Sequence, residues 1–177
     1  MGTAKDHPSV KYFAAIAFTP GINIEAVFKA VEKIFSPIAH ESEAYDYTRY
    51  TTYYNREMGE QITKRFIVFH RLSPAESLPD FKIATNKLEN DYRIDNRRQV
   101  NIDPGYLSEA NLILATTKNY SHRIYLHSGI YADLHLIYSK KRFQVMPWTY
   151  PDYQSPQILQ FFTDVRSQYL QQLNTIT

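Results

Sequence analysis

The order in which hydrophobic periods change along residues 10–102 constrains this chain more than any other feature. Val10 to Phe18 is a short, continuous apolar run closed by Thr19, Pro20 and Gly21, which reads as a buried strand. Asn23 then offers a helix N-cap with Glu25 in the first turn, and Ile24, Val27, Phe28, Val31, Ile34 and Phe35 recur at three and four residues. Ser36-Pro37 ends that helix. Ile38 to Tyr47 reads as a second strand, residues 48–62 as a connection or irregular hairpin, and Lys64 to Leu72 as a third strand. A second helix over Leu78 to Tyr92 places Phe81, Ala84, Leu88 and Tyr92 on one face, and Arg98 to Ile102 reads as a short strand. The resulting order, β-α-β-β-α-β, predicts a ferredoxin-like core: an antiparallel sheet with two helices on one face.

Beyond it, Asp103-Pro104-Gly105 has the chemistry of a turn, because proline presets φ and glycine supplies positive φ. Residues 110–117 read as a strand. A three-residue loop at His127, Ser128 and Gly129 sets Leu126 against Ile130, Ile124 against Ala132 and Arg123 against Asp133, whereas a two-residue loop scatters polar groups over both faces. Arg142 to Met146 adds a strand. Trp148 to Tyr153 contains a proline and reads as an extended segment over a surface. Ser155-Pro156 opens a last helix that buries Ile158, Leu159, Phe162, Val165, Tyr169 and Leu173. The predicted class is therefore α+β, a ferredoxin-like βαββαβ core extended by a C-terminal hairpin or meander and a terminal helix. Residues 1–9 form a flexible arm and residues 10–177 one domain.

Composition narrows function by exclusion. A net charge of +2, from 20 Lys and Arg against 18 Asp and Glu, gives no electrostatic footprint for DNA or an anionic membrane. Cysteine is absent, so thiol catalysis, disulfides and cysteine-held zinc are excluded. No apolar run reaches membrane-spanning length and the N-terminus lacks a signal-peptide core, so the expected location is cytoplasmic. Fifteen tyrosines exceed the ten phenylalanines, which suits half-buried pockets and interfaces as well as sheets.

The search for chemistry gives candidates and no reaction motif. No P-loop and no Rossmann fingerprint is present, and five glycines do not build such cradles. His122, His127 and His135 lie in one hairpin region with Asp133 nearby, but no ligand spacing appears and the register sends His122 and His135 to opposite faces. No metal is expected, with His122 at the edge of the core and the other histidines in solvent. Glu41 and Glu43, two apart on a strand, share a face. They serve either as an acid–base pair or as edge charges that discourage aggregation. Ser121 and His122 are strand neighbours on opposite faces and make no triad. Residues 65–69 (RFIVF) resemble an RNA-recognition strand but lack its glycine.

Several segments carry a family resemblance: residues 41–43 (ESE), Tyr54 with Glu57-Met58-Gly59, residues 64–66 (KRF), Thr85-Asn86 with Leu88-Glu89, and 101–107 (NIDPGYL). So do 114–116 (LAT), 121–126 (SHRIYL), 129–132 (GIYA) and 148–153 (WTYPDY). On these the chain resembles the bacterial and archaeal domain of unknown function 4416, over nearly its whole length. The resemblance implies no established activity, although some members bear the description GTP-binding protein.

The leading expectation is a small anionic ligand, a nucleotide or other phosphorylated metabolite. Arg65, Lys118 and Arg123 would hold the anion, and Tyr106, Tyr125 or Trp148 would pack its apolar part. If the chain is an enzyme, Asp103, Glu57 and His122 are its acid–base candidates. No cofactor is indicated. The alternative is a non-enzymatic interaction or homo-oligomerisation module whose tyrosine-rich face and Trp148–Tyr153 segment bury against another subunit or protein, and the third reading is an RNA-binding domain.

Overall fold

The computed structural model describes residues 2–176. β1 (Val10–Phe18) leads through Asn23, whose side chain caps the Ala26 N–H at 3.2 Å, into α1 (Ile24–Ile34). β2 (Ile38–Glu41), β3 (Tyr45–Asp46), α2 (Asn55–Met58), β4 (Thr63–Ser73) and α3 (Leu78–Asp91) follow. The second half contains β5 (Val100–Leu107), β6 (Asn111–Thr116), β7 (Arg123–Tyr125), β8 (Tyr131–Ser139), β9 (Arg142–Val145) and α4 (Pro156–Ile176).

All nine strands of the described residues join one antiparallel sheet in the order β2-β4-β1-β5-β6-β8-β7, with β3 also on β4 and β9 also on β8. The alternation of side chains along β1 builds two cores. Tyr12, Ala14 and Ile16 pack with Val27, Phe28 and Val31 of α1 and Leu78 of α3. Phe13 and Ala15 pack on the other face with Phe162, Val165 and Tyr169 of α4. The protein is thus α+β in three layers, with α1 and α3 opposite α4. Among the described residues no helix is long and apolar enough to cross a membrane.

The β7–β8 hairpin has the expected register: Arg123 faces Asp133, Ile124 faces Ala132, and Gly129 takes φ +77 in the three-residue loop. Other expectations need correction. The strand expected over Ile38–Tyr47 breaks after Glu41, where the Ser42 hydroxyl accepts the Phe66 N–H at 2.9 Å and replaces a ladder bond. Glu41 and Glu43 therefore do not form a pair on one strand: Glu41 binds Arg65 at 2.9 Å, and Glu43 accepts from Gln157 at 3.3 Å.

Asp103-Pro104-Gly105 is not a turn. It lies inside β5, paired with β1 from Val100 to Leu107. Gly105 is required for close approach: a Cβ there would lie 2.6 Å from the Phe13 ring and against the Ile113 carbonyl of β6. Residues 148–153 do not lie over a surface either. Pro151–Gln154 makes a 3-10 turn that buries Asp152 and Tyr153, the latter with its ring 4.9 Å from Phe66 and 5.9 Å from Phe162.

Candidate functional site: a two-chambered cleft

The cleft begins where the sheet opens. β6 pairs with β5 only from Gly105 to Leu107, and its remaining residues continue along β8. The first half of β5 is left without a strand on that side, and Pro104, which has no N–H to donate, stands where β6 departs. α3 covers the exposed edge with a polar stripe. Glu89 Oε1 accepts the Ile102 N–H at 2.7 Å, and Lys82 Nζ donates to the Ile102 carbonyl at 3.0 Å. Two helix side chains thereby give Ile102 the partners that a neighbouring strand would supply. This explains why the most buried positions of α3 include Lys82, Thr85 and Glu89, while Phe81 and Leu88, on the expected face, are only partly buried.

A polar chamber of about 330 Å³ opens beside this edge. Lys82 Nζ also binds Asp103 Oδ1 at 2.9 Å, and Asn101 donates to Asp103 Oδ2 at 2.7 Å. Arg98 donates to Asn101 Oδ1 at 2.6 Å and lies 3.5 Å from Glu57 and 3.7 Å from Glu89. Burial pushes the Glu89 carboxyl above its ordinary range, against the opposing pull of Lys82. Burial acts the same way on Asp103, but there the Lys82 ammonium and its hydrogen bond win and hold the carboxyl low.

Next to it lies an aromatic chamber of about 250 Å³, walled by Tyr47, Tyr50, Tyr53, Tyr54, Tyr120 and Tyr150. Behind it, Lys64 pairs with buried Asp152 at 2.6 Å, and the Tyr45 hydroxyl donates to the same carboxylate oxygen at 2.7 Å. Burial, helped by Asp152, pushes the Tyr45 and Tyr47 hydroxyls well up, and burial with Asp103 nearby does the same to Tyr54. Tyr150, pushed up to about 12, also responds first to burial.

Arg123 ties the chambers to the hairpin. Its Nε donates to Asp133 Oδ2 at 2.9 Å, Nη1 to the Lys118 carbonyl at 3.1 Å, and Nη2 to the Tyr150 hydroxyl at 3.3 Å. Its guanidinium lies 4.6 Å from the Tyr120 ring centre. Asp133 Oδ1 faces His135 Nδ1 at 3.5 Å, and His135 Nε2 accepts the Tyr150 N–H at 3.0 Å. That acceptor role makes His135 the neutral Nδ1–H tautomer, and burial lowers its proton affinity in the same sense. His135 is fully buried rather than in solvent. His122 also reaches Asp133, at 3.6 Å, because it precedes β7 and lies outside the pairing register, so the two histidines are not separated by the sheet.

Of the sequence candidates, Asp103, Glu57 and Lys118 line the polar chamber, and Lys118 and Arg123 line the aromatic one. His122 stands behind them, stacked on Trp148 with ring centres 4.6 Å apart, while Trp148 donates to the Leu134 carbonyl at 2.8 Å. Arg65 lines neither chamber: on β4, two strands from β5, it pairs with Glu41 of β2. Tyr106 packs against Tyr12 in the α1–α3 core, and Tyr125 stands exposed beside Tyr131 on the hairpin. Phe66 and Phe69 of β4 are buried on opposite faces, leaving neither ring open to stack on a base. Sequence reasoning missed Lys82, Glu89 and the tyrosines at 47–54, and did not single out Asn101 or Tyr150 within the 101–153 stretch. Lys82, Asn86 and Glu89 at helical spacing were the signal for the first two. Among the described residues no group of three or more His, Asp or Glu is arranged to hold a metal.

No curated protein and no solved structure matches the chain. The family model described as Domain of unknown function (DUF4416) matches residues 8–169 of the 177, and the chain belongs to that family.

Proposed function

We propose that the cleft binds a small anionic ligand, a nucleotide or other phosphorylated metabolite, with its planar part among the tyrosines and its anion at Lys118. One observation carries this reading. Lys118 borders both chambers, and its ammonium meets the Tyr53 hydroxyl and ring, 4.3 Å from the centroid, where the other cleft cations meet carboxylates. Chambers of about 250 and 330 Å³ side by side suit a ligand of metabolite size. Tyrosine faces suit a flat ring. The β1–α1–β2–β4–α3–β5 portion is read as a ferredoxin-like core, supported by β4 lying between β1 and β2 and by β1 lying between β4 and β5. A cytoplasmic setting belongs to the same proposal, since phosphorylated metabolites are held there.

A thermal-shift screen against nucleotides, phosphorylated sugars and inorganic phosphate tests it. A ligand at 100 times its dissociation constant stabilises the fold by about 2.7 kcal/mol. A shift that Lys118→Ala abolishes, in a variant that melts like the parent without ligand, is the expected result. A shift unchanged by Lys118→Ala overturns the assignment of the anion, and no shift with any probe overturns the reading.

The second reading, an interaction module, has its own observation. Ile124, Tyr125 and Leu126 are consecutive and 70%, 58% and 37% exposed on the sheet's last strand and the loop that follows it. A mass that rises with concentration, and falls to the monomer in Ile124→Lys, would favour it.

A further inference from the structure

Charge pairing inside the cleft divides the ligand more finely. In the polar chamber the cations inward of Lys118 are already engaged: Lys82 with Asp103 at 2.9 Å, and Arg98 with Glu57 at 3.5 Å and Glu89 at 3.7 Å. At the border with the tyrosines, Arg123 is bound to Asp133 at 2.9 Å. A phosphate moving past Lys118 into this chamber would have to pull a cation from its carboxylate and would then face that carboxylate as a like charge. Hydroxyl groups meet the opposite situation. Each donates to a carboxylate oxygen with lone pairs to spare and accepts from a guanidinium or amide, without disturbing the ion pairs. Two of the carboxylates are reachable, since the Glu57 side chain is 55% exposed and that of Asp103 is 26% exposed. Asn86, Asn90 and Thr117 add neutral partners on the same lining.

We propose that the polar chamber is a subsite for the neutral, polyhydroxylated part of the ligand, a sugar ring whose hydroxyls are read by Asp103 and Glu57. The anion then sits at its border with the aromatic chamber, at Lys118, and the planar part lies among the tyrosines. This rests on the ligand-binding reading above and narrows the ligand to a phosphorylated sugar or a ribonucleotide.

The test is calorimetric titration of the full chain with ribonucleotides, their dideoxy counterparts, a pentose phosphate and inorganic phosphate. Removing hydroxyls that donate to a carboxylate is expected to weaken binding by about tenfold or more. In Glu57→Ala, whose side chain is largely exposed and which is required to melt like the parent, the preference for the ribonucleotide over its dideoxy form falls. Affinity for inorganic phosphate does not fall in the same variant, because Lys118 is untouched and Arg98 only loses a competing carboxylate. Asp103→Asn gives the same loss of preference if it folds, and if it does not, the dideoxy comparison and Glu57→Ala still decide. Dideoxy and parent nucleotides bound equally tightly would overturn the sugar subsite while leaving the ligand reading standing. A preference for the ribonucleotide that survives in Glu57→Ala and in any folded Asp103→Asn would overturn it as well. No binding by any probe overturns both.

Discussion

Gly105 and Lys11 show how much a single position can contribute beyond its residue type. Gly105 lies where β5 touches β6 across the Phe13 ring, and Gly105→Ala puts a methyl group 2.6 Å from that ring. Overpacking of this kind costs about 1–3 kcal/mol, to be read as a lower denaturation midpoint at unchanged slope. Equal stability of the variant would show that the two strands can separate. Lys11 is 6% exposed, and its ammonium donates to the Phe69 carbonyl at 3.2 Å, the His70 carbonyl at 2.9 Å and the Gln172 amide oxygen. Burial pushes its pKa down to about 8 from an ordinary 10.5. Between those values the unfolded chain holds more protons than the folded one, so this group's contribution to stability rises with pH. The expected result is a wild-type advantage over Lys11→Met that grows across that window in denaturant titrations. A constant difference would mean that Lys11 titrates normally.

At the scale of elements, α3 gives the sharpest test, because its polar stripe replaces a strand. Glu89→Leu removes the acceptor of the Ile102 N–H and leaves a buried donor unpaired, which costs about 1–3 kcal/mol. Glu89→Gln keeps an acceptor oxygen and is expected to lose much less. Amide exchange at Ile102 should accelerate in the leucine variant alone, and equal protection in both variants would remove the strand-substitute role. The same helix shows what a sequence conceals. Its span and its Phe81–Leu88 face follow from period and size, but burial of Lys82 and Glu89 follows from the missing strand beside Ile102, a tertiary event with no local signature. β5 misled for the converse reason: Asp-Pro-Gly has strong local turn chemistry, and pairing with β1 along the whole strand overrides it. The β7–β8 register was legible because one glycine and two alternating faces leave a single consistent pairing. The tyrosines were legible as an excess, but not as a chamber, since they reach it from three separate loops.

For the whole molecule, the tyrosines link folding to alkaline pH. Burial pushes Tyr12, Tyr45, Tyr47, Tyr54 and Tyr153 well above the ordinary value of 10.0, and moves Tyr150 and Tyr169 up to about 12. A raised folded pKa means that these groups contribute their full stability below 10.0, and that it is lost as pH climbs through the folded values. Because they lie in both cores and in the chamber wall, their losses accumulate in one cooperative structure rather than in a single loop. Alkaline titration followed by phenolate absorbance is therefore expected to show a cooperative step above the ordinary value of 10.0. That step coincides with collapse of the far-ultraviolet circular dichroism, because the buried hydroxyls ionise only as the sheet and helices come apart. A smooth titration with the dichroism unchanged would mean that water reaches these rings in the folded state, against the burial of Tyr12, Tyr153 and Tyr169 in the two cores.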